Sequence, residues 1–356
     1  MKATRLRPVT QKNTITYAMV ILFYVVIQIL TMTGSLSSLF TGLLIPICVY
    51  VILAVSLNLT VGILGELSLG HAGFMCIGAY ASSVFSISTQ DVLTSAWIRF
   101  PLALLVGGIA AAIFGILIGM PVLRLRGDYL AIVTLAFGEI IKSLAGILYL
   151  GQDENGLHIA FGQNSAMDLA VGGRKIIDGP KGILSTPGDA SFTAGVILIL
   201  ITLFVITNMM DSRAGRAVMS IRDNRIAAES VGINITKYKL LAFAVSAFFA
   251  GIAGVLYSHS LATVPPAKFG YNMSIMILVM VVLGGMGSMR GSVIAAALLT
   301  ALPELLRGLQ DFRMLIYSII LIAAMLLNNN DKVKLSVRRL TAKFKRQTKP
   351  AEEVAE

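Results

Sequence analysis

The chain has 356 residues, of which 56% are hydrophobic and only 13% charged, with a mean hydropathy of +0.83. A soluble domain of that composition could not cover its surface, so the long apolar runs mark a polytopic membrane protein. The net charge of +11 invites a nucleic-acid reading, but the basic residues gather at the edges of apolar segments, which is a topology signal, and no nucleic-acid partner is expected.

In chain order, the first feature is a basic start, MKATRLRPVTQKNTI, before an apolar run from Ile15 to Met32. It lacks a small-residue cleavage site and reads as a retained first helix. With about 20 apolar residues needed per crossing, the candidate spans are 15–33, 40–62, 68–88, 100–122, 128–150, 192–210, 239–261, 273–287, 292–306 and 312–328. The expected fold is all-α, with about 10 transmembrane helices. The pairs 40–62/68–88 and 273–287/292–306 have such short connections that some members could be broken or re-entrant.

The basic residues orient this scheme. With the N-terminus inside and the spans alternating, the inner segments hold 21 of the 29 Lys and Arg; the others are Arg99, Lys142, Arg174, Lys175, Lys181, Lys268, Arg307 and Arg313. That excess predicts both termini in the cytoplasm. The chain then divides into a cytoplasmic N-terminal segment (1–14), a membrane domain (15–328) and a basic cytoplasmic tail (329–356). The membrane domain carries an external loop (151–191), too short for a core of its own but able to form a small cap, and a cytoplasmic loop (211–238). The tail reads as solvated or bound to lipid headgroups. Cys48 and Cys76 lie in apolar runs and read as small packing groups. No internal repeat is visible, although transporters often contain one.

Within the cytoplasmic loop stands SIRDNRIAAESVGINITKYK, Ser220 to Lys239. Asp223 and Asn224 are good N-caps, Gly232 is a good residue to follow a helix end, and the intervening segment makes roughly two turns. Arg222, Arg225 and Glu229 supply charge around a small apolar face that contains Ile226, Ala227 and Val231, and Asn234 or Thr236 can cap the next membrane helix. A short capped helix of this kind suits docking into a partner's cleft; it also suits an ordinary interfacial turn.

Other ionisable groups lie inside apolar segments, where they are costly and suggest function. Glu139 and Lys142 are spaced to pair on one helix face, either as a structural pair near the outer interface or as part of a polar path. Glu66 and His71 flank LSLG at the inner end of the third span, where they could cap broken backbone or meet interfacial water. The candidate lining of a path is Ser68, Gly70, His71 and Phe74 in the third span and Thr134, Phe137 and Glu139 in the fifth. Gly70, Gly73 and Gly78 form a small face suited to close packing or to making room for a solute. The chain has no G-x-x-x-x-G-K-[ST] and no Gly-Lys dipeptide, so it carries no phosphate-cradling loop and no cofactor site of its own. There is no paired acidic site, no nucleophile–base set and no convincing metal-ligand set around His158 or His259, which argues against an enzyme.

Several of these segments together resemble a known family. RDNRIAAESVGI resembles the coupling motif of ABC importer permeases. With LNLTVGILGELSLGHAGFMCIGAY (57–80), RLRGDYLAIVTLAFGEIIK (124–142), TKYKLLAFAVSAFFAGIAGVLYS (236–258) and MVVLGGMGSMRGSVIAAALL (280–299), the chain is similar to the LivM-type permeases of branched-chain amino-acid ABC importers over most of 40–327. It departs from them at 328–331, where NNND stands in place of a Pro-Gln-Gly-like ending.

The resemblance implies a permease subunit in a prokaryotic plasma membrane, working with a second related permease, two cytoplasmic ATPases that use the ATP, and an extracytoplasmic substrate-binding protein. It makes Arg222, Asp223, Asn224, Ile226, Ala227, Ala228, Glu229, Val231 and Gly232 the expected ATPase-coupling residues, and branched-chain or other apolar amino acids the expected solutes. The rival expectation is an ion-coupled secondary transporter that uses an intramembrane carboxylate such as Glu139.

Overall fold

The computed structural model describes residues 8–34, 37–125, 127–153, 156–162 and 173–306, with isolated helical positions at 315, 316, 318, 319 and 322. The rest of the expected last span, the tail 329–356, residues 1–7 and Arg126 lie outside the described residues. The chain divides into a main unit, Met1–Thr300, and a second unit, Ala301–Glu356. The helices are α1 (Pro8–Met32), α2 (Ser38–Asn58, continued as a π-helical segment, Leu59–Leu64), α3 (His71–Ser88), α4 (Ala96–Val122), α5 (Asp128–Ile147), α6 (Phe192–Asp211), α7 (Arg213–Asp223), α8 (Arg225–Ser230), α9 (Ile235–Ser258), α10 (Tyr271–Gly284) and α11 (Met289–Leu305).

Among the described residues, six stretches are long and apolar enough to cross a membrane: Thr14–Met32, Phe40–Leu64, Ala96–Val122, Tyr129–Ile147, Phe192–Asp211 and Ile235–Ser258. Their outward faces are apolar. Leu22, Ile29 and Met32 of α1 and Leu105, Ile109 and Leu117 of α4 are all exposed, as a lipid-facing surface requires. α10 has only 14 residues, about 21 Å of helix against the roughly 30 Å of a bilayer core. The third span begins at His71 rather than Ser68, because Gly65–Gly70 run as non-helical backbone, with Ser68 and Gly70 buried and Gly65 and Leu67 exposed. The sequence had allowed for a break of this kind.

The core is built on α9, which packs against α2, α3 and α4 through small residues. Gly78 of α3 faces Gly251 of α9, Gly254 lies against the Met75 carbonyl, and Gly115 of α4 lies against Ala247. A side chain at Gly251 would run into Ala111 and the Gly107 carbonyl, so these backbones approach as closely as they do only because the side chains are absent.

The expectation of an all-α chain needs correction. The segment after α5 and the link after α9 supply five short strands, β1 (Leu148–Asp153), β2 (Gly156–Phe161), β3 (Arg174–Asp178), β4 (Ile183–Leu184) and β5 (Thr263–Val264), in the antiparallel order β2-β1-β3-β4-β5. Ile176, Ile177, Ile183 and Val264 are buried, so the sheet borrows its core from the helices beneath it. At this end the Arg99 guanidinium, 7% exposed, forms a two-pronged ion pair with Asp189 at 2.8 Å and donates to the Leu93 carbonyl at 3.1 Å. His259, just past α9, shares a 2.8 Å hydrogen bond with Ser86 of α3 and packs edge-on against Phe100 of α4.

Candidate functional site

The end opposite the sheet carries a helical hairpin. α7 is capped by Ser212, whose hydroxyl accepts from the Gly215 N–H at 3.3 Å. α8 is capped by Asn224, whose Oδ1 accepts from the Ala227 N–H at 3.1 Å. Its other end is closed by two reversed bonds: Gly232 N–H to the Glu229 carbonyl at 3.0 Å and Ile233 N–H to the Ala228 carbonyl at 3.1 Å. Gly232 takes φ +83°, the left-handed conformation this closure needs and glycine adopts without strain. Asn234 then caps α9, accepting from the Lys237 N–H at 3.0 Å.

Ile221 of α7, Ala228 of α8 and Ile235 of α9 form a buried cluster, with Ile233 and Tyr238 against it. The hairpin and the start of α9 therefore pack as one piece. Ala228 belongs to this inward face. Ile226 (81% exposed) and Val231 (75%) point outward, as do Ala227 and Glu229. α7 itself was read only as part of a loop, although Ala217, Val218 and Ile221, all buried, carry a helical period that could have revealed it.

Between the hairpin and the membrane helices lies a cavity of about 530 Å³, lined in part by Leu64, Gly65, Glu66, Asn224, Ile226 and Glu229. Arg222 crosses it. Its Nη1 donates to the Gly62 carbonyl at 3.3 Å, while Nε and Nη2 contact Asp223. Lys239, only 5% exposed, pairs with Glu66 beneath it.

The candidate path residues fall into one cluster and one outlier. Thr134 accepts the Leu69 N–H at 3.0 Å and stands beside Gly70, where a Cβ would collide with the Thr134 backbone. His71 is 2% exposed and shares a 2.8 Å hydrogen bond with Ser56, so it is buried rather than at interfacial water. Glu66 likewise meets Lys239 rather than bulk water. Phe74 packs at a tilt against Phe137 (5.1 Å between centroids) and edge-on against Phe243 (5.5 Å). Ser68 Oγ is buried without a hydrogen-bond partner. Together Ser68, Gly70, His71, Phe74, Thr134 and Phe137 make a buried, close-packed cluster of polar and aromatic groups at the broken start of α3. Glu139 stands apart, pairing with Lys142 and accepting the Tyr271 N–H at 2.8 Å, so it anchors the start of α10. Ser274 of α10 accepts the Ala72 N–H at 3.1 Å, so α10 also holds the start of α3. The sequence reading missed both roles of α10.

Lipid-facing helices around a glycine-packed core, with a capped amphipathic hairpin at one end, define a polytopic membrane protein. The chain belongs to the family described as branched-chain amino acid transport system / permease component, which matches residues 39–327. These are transport proteins rather than enzymes. The high-affinity branched-chain amino acid transport system permease proteins LivM of Salmonella typhimurium and Escherichia coli are each 37% identical over 291 residues, covering 78% of this chain and 66% of theirs. The match thus spans a little under two thirds of the length of those relatives. The ribose import permease protein RbsC of Haemophilus influenzae is 24% identical over 78% of this chain and 81% of its own. No solved structure matches.

Proposed function

We propose that this chain is the permease subunit of an ABC importer that carries branched-chain or other apolar amino acids across a prokaryotic plasma membrane. It works beside a second related permease, two cytoplasmic ATPases that hydrolyse the ATP, and an extracytoplasmic substrate-binding protein. The observation that carries this is the α7–α8 hairpin, which is closed by its own caps, packed on α9, and presents Ile226, Ala227, Val231 and Glu229 outward. Such a face suits a groove on an ATPase subunit. The two LivM relatives supply the solute class, and LivH of Salmonella typhimurium, 21% identical over 70% of this chain, supports a paired, related permease.

In this reading the hairpin end faces the cytoplasm. Arg124, Arg213, Arg216, Arg222, Arg225, Lys237, Lys239 and Arg290 lie at that end, whereas Arg99, Arg174, Lys175, Lys181 and Lys268 lie toward the sheet, and an excess of cations marks the inner side. The start of α1 belongs to the hairpin end too, since Arg290 donates to Thr16 at 2.9 Å and Tyr17 bonds Thr207 at 2.9 Å. With the last span crossing once more, the chain makes about ten passes and both termini are inside. In this reading the buried cluster at the start of α3, with Phe74 against Phe137, is the closed point of the path. Glu139, the carboxylate an ion-coupled carrier would use, is engaged by Lys142 and Tyr271, which favours ATP as the energy source.

The test is to express the chain with the permease and ATPase subunits encoded beside it, reconstitute the complex in liposomes, and measure leucine uptake and ATP hydrolysis with the binding protein present. ATP-dependent uptake is the expected result. Uptake by this chain alone under a proton or sodium gradient would replace the reading with the ion-coupled one. Strong labelling of Arg222→Cys by an impermeant thiol reagent outside sealed cells, with Cys48 and Cys76 replaced, would reverse the orientation.

A further inference from the structure

The π-helical segment that ends α2 is fully buried; it touches the hairpin and, at Gly62, the turn that follows α10. Such segments are rare and gather at functional positions, because one extra residue per turn leaves a register that a small shift can undo. Gly62 lies at its centre. On one side the Gly62 carbonyl accepts Arg222 Nη1, and Arg222 lies flat on Gly65, where a Cβ would come 2.8 Å from the arginine Cγ. On the other side, the space a Gly62 side chain would need is taken by the Asn58 carboxamide and the Gly287 nitrogen.

Asn58 is wholly buried with both halves of its amide engaged. Oδ1 accepts the Gly287 N–H at 2.8 Å, and Nδ2 donates to Ser292 Oγ at 3.0 Å and faces Met289 Sδ. It therefore grips the turn between α10 and α11, where Gly285 (φ +89°) and Gly287 (φ +81°) hold left-handed conformations. The far end of α10 is the end that Glu139 anchors, and its Ser274 holds the start of α3 at the buried cluster.

From this we infer that Asn58 and Gly62 are positioning residues for transport: they pass the movement of the hairpin, delivered through Arg222, to α10 and so to the buried polar and aromatic cluster at the start of α3. The contacts run without a gap from Arg222 to the Gly62 carbonyl, to Asn58, to Gly287, along α10 to Ser274, and to Ala72. The Arg222–Gly62, Asn58–Gly287 and Ala72–Ser274 links are directional hydrogen bonds, buried or partly buried, and Gly62 packs directly on the Asn58 carboxamide, so a displacement at one end is resisted rather than absorbed by side-chain slack. α10 is short and bounded by Gly270 and by Gly284–Gly285, so it can tilt as a strut between its two anchors. The cavity beneath the hairpin gives Arg222 room to travel. The inference rests on the hairpin docking to an ATPase; the polar links themselves are observed.

The experiment uses the reconstituted complex and reads solute moved per ATP hydrolysed. A wild-type complex that shows no ATP-driven uptake counts against the proposed function and is scored separately. Given a working wild type, Asn58→Leu, Asn58→Ser and Arg222→Ala are compared with Ser86→Ala, which removes a buried hydrogen bond at the sheet end. The expected result is that the Asn58 variants co-purify with their partners and hydrolyse ATP within about two-fold of wild type while the transport ratio falls ten-fold or more, and that Arg222→Ala lowers the ratio at least as far. Arg222→Lys should restore part of the ratio, and the Asn58→Ser/Arg222→Ala double variant should be no worse than the lower single one, because both break one line of contacts. Ser86→Ala should leave the ratio unchanged. The inference is overturned if the ratio in the Asn58 variants stays within two-fold of wild type, if uptake and hydrolysis fall in equal proportion, if the double variant shows the product of the single losses, or if neither Asn58 variant assembles, which would make Asn58 a folding residue.

Discussion

The two ends of the molecule close their elements differently. At the sheet end Arg99 reaches Asp189, Ser86 reaches His259 and Tyr271 reaches Glu139, across 90, 173 and 132 residues of chain. At the hairpin end the termini of α7, α8 and α9 are closed by neighbours three residues away, at Ser212, Asn224 and Asn234, and long-range links, Arg222 to Gly62 and Lys239 to Glu66, tie that self-closed unit to the membrane helices. An end stitched across the fold cannot shift one element without disturbing several. An end whose helices close themselves can move as a unit and keep its shape, which is what transmission of force requires.

The contrast predicts where a mutation is felt. Arg99→Ala leaves Asp189 as a buried uncompensated charge, and it should destabilise the protein by about 3–5 kcal/mol, the largest effect of the set; a thermal melt in detergent reads this, and a shift no larger than that of a surface variant would dissolve the distinction. Gly232→Val forces a β-branched residue to positive φ, at about 1–3 kcal/mol. Because nothing lies within 4 Å of that position, the strain stays inside the hairpin: the melt should hardly change while ATPase co-purification and uptake fall. Asn224→Ala removes an N-cap worth about 1 kcal/mol and should lower uptake several-fold without altering insertion. Ile226→Asp should change stability by less than about 0.5 kcal/mol, as an exposed position does, yet weaken ATPase binding more than Asn224→Ala. If Ile226→Asp leaves the complex intact, the outward face of α8 is not the docking face.

The same division explains what the sequence made legible. The caps of α8 and α9 were readable because cap and helix lie within one turn of each other: Asn224, Gly232 and Asn234 sit where short-range rules put them. The apolar spans were readable from composition alone. The sheet was not, since β5 joins β4 only after α6 to α9 have intervened, and strands of two residues carry no pattern. The buried Lys239–Glu66 pair escaped for a like reason, because each residue alone resembles an interfacial charge and only the fold brings them together. The start of α3 was misplaced by three residues because LSLGHAGF is apolar enough to be helical; what stops the helix is the close approach of Gly70 to Thr134. The grouping of Ser68, His71, Phe74, Thr134 and Phe137 was legible as a list of unusual residues, but the engagement of Glu139 with α10 depended on a backbone N–H far along the chain.

α1 is attached in a third way. Its span is only 11% buried, and among the described residues its polar links to the rest of the main unit include Thr16 with Arg290, Tyr17 with Thr207 and Tyr24 with Thr193. Pulled by its N-terminus, the protein would therefore come apart like a zip with a loose first tooth: α1 would leave the bilayer at low force as a separate event, and the glycine-locked core of α3, α4 and α9 would yield later and together.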